Sequence, residues 1–144
     1  MNTVVIDASV AVKWCLPPSQ EPHADTAFRL LERFGAGRLR FIVPDLFWAE
    51  LGNVCWKAIR QGRWQNEDAQ TAVSEIKKQH FPTVSSVSLL EEALEIATIF
   101  DRSVYESLYI ALALTAKADF VTADERLANA VAAYLPVKWI GYFV

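Results

Sequence analysis

The chain has 144 residues, 53% of them hydrophobic, with 14 Lys and Arg against 17 Asp and Glu and a formal net charge of −3. That length and apolar share provide for one domain, residues 1–144, with a real core, and exclude a largely disordered chain. The longest apolar run, Leu108 to Leu114, is far too short to cross a bilayer.

The first residues, Met1-Asn2-Thr3, carry no basic patch, and Asp7 interrupts any signal-peptide core, so a cytoplasmic protein without membrane contact is expected. Cys15 and Cys55 sit in apolar helical surroundings without a CxxC or Cys/His spacing, which implies neither a zinc site nor a disulfide. An excess of acid ordinarily argues against a nucleic-acid partner. That argument weakens if four acids are gathered in one metal site, because the remaining charge is then near balance.

Val4-Val5-Ile6 reads as a short strand buried on both faces, and Asp7 follows where it runs out. In an open parallel sheet, ligands bind outside the carboxyl ends of the strands. Asp7 is therefore either a ligand-facing carboxylate or only the cap of the next helix. Ser9 to Leu16 reads as a short apolar helix stopped by Pro17-Pro18, followed by a loop to Glu21. His23 to Phe34 reads as a helix with Ala27, Leu30, Leu31 and Phe34 on one face, ended by Gly35-Ala36-Gly37. Phe41-Ile42-Val43 is a second buried strand, closed by Pro44.

Asp45 caps a long helix to about Arg60 whose circumference is mostly apolar. Glu50 lies in its middle and needs a partner or a metal, since an unpaired buried charge is expensive. The plain alternative is an ion pair with Arg60 or a neighbouring helix. Phe47, Trp48 and Trp56 crowd the same helix, as core or as a groove for a partner's amphipathic helix. Asn66 caps a helix to about Gln79, and Pro82 to Val87 is a weakly alternating edge strand. Ser88 with Glu91 forms a capping box for a helix from Leu89 to Phe100, and Ser103 with Glu106 forms another for a helix to about Lys117. The second helix is apolar all round and must be central. Asp119 to Thr122 is a fourth strand, followed by Ala123-Asp124, which repeats the arrangement at Asp7. Glu125 to Ala133 is a helix, Pro136 to Ile140 a last strand, and Gly141 to Val144 trails off. Strands alternating with helices predict an α/β fold, a three-layer α/β/α sandwich around a central parallel sheet.

Two carboxylates follow strand ends, Asp7 and Asp124, and two sit on helices, Glu50 and Glu106. Clustered oxygen ligands suit Mg²⁺ or Mn²⁺, and such ions activate water and neutralise charge on a phosphodiester. Glu106 has two possible jobs, capping-box residue or metal ligand, and the reach of Glu favours metal.

Val-Ile-Asp-Ala-Ser near the start, Trp-Ala-Glu-Leu on a middle helix, Tyr-Glu-Ser-Leu-Tyr-Ile-Ala-Leu-Ala and Val-Thr-Ala-Asp-Glu-Arg-Leu together resemble a PIN domain. More closely, they resemble the VapC group, toxin ribonucleases of type II toxin–antitoxin pairs, over the whole chain from Val4 onward. The resemblance implies an Mg²⁺- or Mn²⁺-dependent endoribonuclease acting on RNA, commonly a homodimer, neutralised by a cognate antitoxin. It places the catalytic acids on Asp7, Glu50, Glu106 and Asp124, with Asp7, Glu106 and Asp124 as metal ligands and Ser9 and Thr122 as supporting hydroxyls. The chain departs from the family at its third acid, where Asp is usual and Glu106 stands here; Asp101 and Asp119 are rival candidates. Two other readings remain: another metal-dependent phosphoryl-transfer enzyme such as a phosphatase, disfavoured by Ser9 where a second Asp would stand, and a PIN-fold binding module with a weak or inactive site.

Overall fold

The computed structural model describes residues 2–142. Of the irregular tail expected over residues 141–144, Phe143 and Val144 lie outside the described residues. Five parallel strands form one sheet: β1 (Asn2–Ile6), β2 (Leu39–Pro44), β3 (Thr83–Val84), β4 (Asp119–Thr122) and β5 (Val137–Trp139). Their order is β3-β2-β1-β4-β5. The register sets Val4 beside Phe41 on one side and Ile6 beside Val121 on the other. The strand order reverses at β1, so the β1/β4 seam is the topological switch point of the sheet.

Among the described residues, seven α-helices connect and cover the strands as a three-layer α/β/α sandwich: α1 (Ala8–Ala11), α2 (Ala24–Gly35), α3 (Leu46–Arg60), α4 (Asn66–Lys77), α5 (Ser86–Phe100), α6 (Val104–Ala116) and α7 (Glu125–Val131). Seven consecutive residues of α6, Ser107 to Ala113, are buried, as its all-round apolar sequence requires. It packs on β1, β2 and β4 and pairs with α5. Val5, Ile6, Phe41, Phe47, Ile110 and Phe120 are among the large side chains closed to solvent in the core beneath the site.

Several boundaries differ from those expected of the sequence. The helix expected over Ser9 to Leu16 is one α-turn, α1, followed by a 3₁₀ turn at Val12–Trp14, a common way for a helix to close before prolines. His23 stands outside α2 in a left-handed conformation (φ 59°), with its ring edge-on to Trp139 at 4.9 Å. Asp45 occupies the N-cap position of α3 without capping it; its carboxylate accepts from the Ser86 hydroxyl instead. Asn66 is the first residue of α4 rather than its cap.

The α5 start is the clearest correction. The helix begins at Ser86, capped by the Ser85 hydroxyl, which accepts from the Val87 N–H at 3.2 Å. Ser88 is already helical and donates to the Ser85 carbonyl at 2.7 Å. Two serines three residues apart carry the same local signal, and the upstream one wins because β3 ends at Val84 and leaves Ser85 extended. Ser85→Ala should therefore destabilise the fold by about 1 kcal/mol, read from urea midpoints, and Ser88→Ala by clearly less.

Lys13 is only 5% exposed, a burial that its charge does not foretell. Its ammonium meets Glu21 at 3.4 Å, and Glu21 also holds Arg63 at 2.7 Å. This bridge ties the loop after α1 to the α3–α4 turn and keeps a buried cation partnered.

Candidate active site

The parallel pairing of β1 with β4 brings their carboxyl ends side by side, and the site is built on that seam. Asp7 leaves β1 at Ile6 and caps α1, its Oδ1 accepting from the Val10 N–H at 3.3 Å and from the Ser9 hydroxyl at 2.5 Å. Its other oxygen accepts from the Thr122 hydroxyl at 2.7 Å. Both hydroxyls are engaged behind as well: Ser9 Oγ accepts from the Ala123 N–H and Thr122 Oγ1 from the Asp124 N–H, each at 3.1 Å. Two hydroxyl relays thus tie the β4–α7 turn to the Asp7 carboxylate. Ser9 and Thr122, expected as supporting hydroxyls, both donate to the Asp7 carboxylate.

Asp124 caps α7, accepting from the Leu127 N–H at 3.0 Å, and is exposed. Glu50 reaches the seam from α3. It forms no ion pair with Arg60, which lies over the Trp56 ring instead; its partner is Tyr109, whose hydroxyl donates to Glu50 Oε1. Tyr109 is buried on α6 and stacked on Phe120 at 5.1 Å. Sequence reasoning passed over it. Its signal was the three-residue step from Glu106, which puts both on one face of α6.

Glu106 sits in the capping box. Its Oε1 accepts from the Ser103 N–H at 3.3 Å and the Ser103 hydroxyl at 3.1 Å, while Ser103 Oγ accepts from the Glu106 N–H at 3.1 Å. Both bonds to the carboxylate end on the same oxygen, and Oε2 has no hydrogen-bond donor among the described residues. The capping box therefore occupies one oxygen of Glu106 and does not by itself exclude the other job. The rival acids lie elsewhere: Asp101 is exposed at the left-handed C-cap of α5, and Asp119 opens β4 at the opposite end of the sheet, 3.4 Å from Lys138.

The acids share one field. Burial pushes the Asp7 carboxyl up to about 6, helped by the charge of Glu50 and opposed by the Ser9, Thr122 and Val10 donors. Burial likewise raises Glu50, with the Tyr109 hydrogen bond pulling down and the charge of Glu106 pushing up. Tyr109 is driven strongly upward by burial, by its bond to Glu50 and by the charges of Glu50 and Asp7. None of these carboxylates is in an ion pair among the described residues. Like-charged hard oxygens gathered without a basic side chain are the donor chemistry a hard dication takes. As folded, no three Asp, Glu, His or Cys side chains among the described residues converge as a ready-made cage. Asp7, Glu106 and Asp124 each accept from a backbone N–H at a helix N-terminus. The donors fit such an ion by type.

The fold and this seam define a class: a three-layer α/β/α protein with acidic side chains at the carboxyl ends of its central strands. Within that class, the chain belongs to the PIN domain family, whose profile matches residues 4–132. No curated protein matches it by sequence. Among solved structures it is similar to PAE2754 from Pyrobaculum aerophilum, with TM-score 0.69 and 20% identity over 97% of this chain and 92% of that one. It is also similar to VapBC2 from Rickettsia felis bound to a DNA fragment from their promoter, with TM-score 0.66 and 14% identity over 95% and 98% of the two chains. A toxin–antitoxin complex from Klebsiella pneumoniae gives TM-score 0.62 and 13% identity over 98% and 99%.

Proposed function

We propose that the protein is a metal-dependent endoribonuclease, the toxin of a type II toxin–antitoxin pair. The observation that carries this is the group Asp7, Glu50 and Glu106, in which the charge of Glu50 acts on Asp7 and that of Glu106 on Glu50, with no ion-pair partner among the described residues. Mg²⁺ or Mn²⁺, held by Asp7, Glu106 and Asp124, would supply charge neutralisation at the phosphate and acidify the attacking water. Glu50, raised by burial, takes the proton from that water. Tyr109 fixes the Glu50 carboxylate through one oxygen and leaves the other for the water. Ser9 and Thr122 hold Asp7 in one rotamer. In-line attack on phosphorus leaves a 5′-phosphate and a 3′-hydroxyl. The test is incubation of purified protein with single-stranded RNA, with and without EDTA, and mapping of the product ends. Products with 2′,3′-cyclic phosphates, or cleavage indifferent to EDTA, would overturn the mechanism.

Two partners belong to the same reading. Of the aromatics expected to line an antitoxin groove on α3, Phe47 is core and Trp48 packs on Phe47 and Phe81 and donates to Thr83 Oγ1 at 3.1 Å, which leaves Trp56 exposed. An open apolar cleft of about 770 Å³ lies between α2 and α4, lined by Trp14, Phe34, Trp64 and Ile76 with Asp68 and Glu75 at its rim. It suits an amphipathic helix bearing basic side chains. For a second copy of the chain, α5 offers Val87, Leu90 and Leu94, all exposed at i, i+3 and i+7. Light scattering should give a dimer mass for the wild type and a monomer mass for Leu94→Glu, with unchanged circular dichroism. A dimeric Leu94→Glu would move the interface elsewhere. Among the described residues no helix is long and apolar enough to cross a membrane.

A further inference from the structure

Trp56 is half exposed, at 50%, on the outer face of α3. The Arg60 guanidinium lies over its ring, 4.9 Å from the centroid. One turn before Trp56 stands Gly52, where an added Cβ would meet no atom within 4 Å, so the space beside the ring is open. Lys57 is exposed and enters none of the ion pairs among the described residues. Lys57 and Arg60 are the cations of α3, and its single acid is Glu50.

These residues are carried on the same rigid helix as Glu50. Lys57 is seven residues on, two turns away on the same side of α3 as Glu50. Trp56 is six residues on, about 9 Å along the axis and about a third of a turn around it, within the span of a short oligonucleotide. We infer that Trp56, Arg60 and Lys57 form a stacking platform for an unpaired base of single-stranded RNA entering the acidic seam. The ring receives the base, Arg60 backs the ring, and Lys57 meets the adjoining phosphate. This inference rests on the nuclease reading and adds to it the position where the substrate strand is gripped.

The surroundings favour nucleic acid over protein. A protein contact is enriched in aromatic side chains and Arg but depleted of Lys and Ala at its core, and exposed Lys57 and Ala49 flank Trp56. The exposed neighbours of Trp56 on α3 are Ala49, Gly52, Asn53, Lys57 and Arg60, without a large apolar group or an acid. The exposed stripe of large aliphatic side chains is on α5.

The test uses the full chain with Asp7→Asn, in EDTA, so that RNA is bound and not cut. Affinity for a short unstructured fluorescent RNA is read by anisotropy across a salt series. Trp56→Ala should weaken binding about fivefold, within the range for loss of one stacked base. Its salt slope should be unchanged, and Trp56→Phe should restore most of the affinity. Lys57→Gln should weaken binding and lower the salt slope by about 0.7. If the parent binds RNA and Trp56→Ala binds it equally well, the platform is overturned and the nuclease reading stands. If Trp56→Ala keeps RNA binding but loses antitoxin binding, the surface is a protein contact and the platform is likewise overturned. If the parent binds no RNA at any salt, both readings fall together.

Discussion

Asp7→Asn should abolish RNA cleavage, by at least a hundredfold, and leave the melting temperature at or above wild type in EDTA. Asp7 is the most constrained carboxylate of the site, fixed by Ser9, Thr122 and the Val10 N–H. Asn nearly reproduces its shape and removes the charge that any hard dication would take. The stability effect follows from the burial that pushes Asp7 up to about 6 from 3.8. An acid whose folded pKa lies above its unfolded value is a liability only where it is ionised. The cost is full above about pH 6 and gone below 3.8. A rise of that size corresponds to on the order of 3 kcal/mol. Part of that gain is lost, because an Asn amide sets a donor toward one hydroxyl that already accepts a backbone N–H, either Ser9 or Thr122. The gap between Asp7→Asn and wild type should thus be largest near pH 7 and close as the pH falls toward 4, measured by thermal melts in EDTA. Asp124→Asn should also lose cleavage and keep its melting temperature, since Asn caps a helix as well as Asp does. Full activity in Asp7→Asn would remove the metal assignment altogether.

The parts of this architecture that were legible in the sequence are those written in short-range patterns. Val4-Val5-Ile6 before Asp7, and Phe120-Val121-Thr122 before Ala123-Asp124, announce two buried strands ending in acids, and the parallel pairing of β1 with β4 then brings the two ends together. The burial of α6 is likewise spelled out residue by residue. What stayed hidden depends on contacts far apart in the chain. Nothing local marks Tyr109 as the partner of Glu50, 59 residues earlier, or Glu21 as the carboxylate that Lys13 and Arg63 share. Trp48 and Trp56 look alike in sequence, yet one is pinned to Thr83 and the other faces solvent, because only the approach of β3 distinguishes them. Of the three aromatics expected to line a groove on α3, Trp56 is the one left facing solvent. At Glu106 the capping box was legible, but which oxygen serves it was not.

Because both capping bonds end on one oxygen, Glu106 is the most informative residue to change. The capping box is satisfied through Oε1 alone, so Glu106→Gln keeps it: the Gln carbonyl oxygen accepts from Ser103 as Oε1 does now. The charge is lost, and with it the repulsion that Glu106 exerts on Glu50. The melting temperature should therefore be near normal, whereas Glu106→Ala, which empties the box, should cost about 1 kcal/mol. Cleavage by Glu106→Gln should fall at least tenfold, equivalent to about 1.4 kcal/mol of transition-state stabilisation. Glu106→Asp separates the two roles further. The shorter side chain reaches Ser103 less well, so part of the cap is lost, while the negative charge beside Glu50 remains and substantial activity should survive. Loss of stability with retained cleavage in Glu106→Asp, and retained stability with lost cleavage in Glu106→Gln, would assign one oxygen to the fold and the other to the chemistry. If Glu106→Gln cleaves RNA as well as wild type at limiting Mg²⁺, Glu106 is a capping residue only. The ligand set would then have to be built on Asp7, Glu50 and Asp124, because Asp101 and Asp119 lie away from the seam.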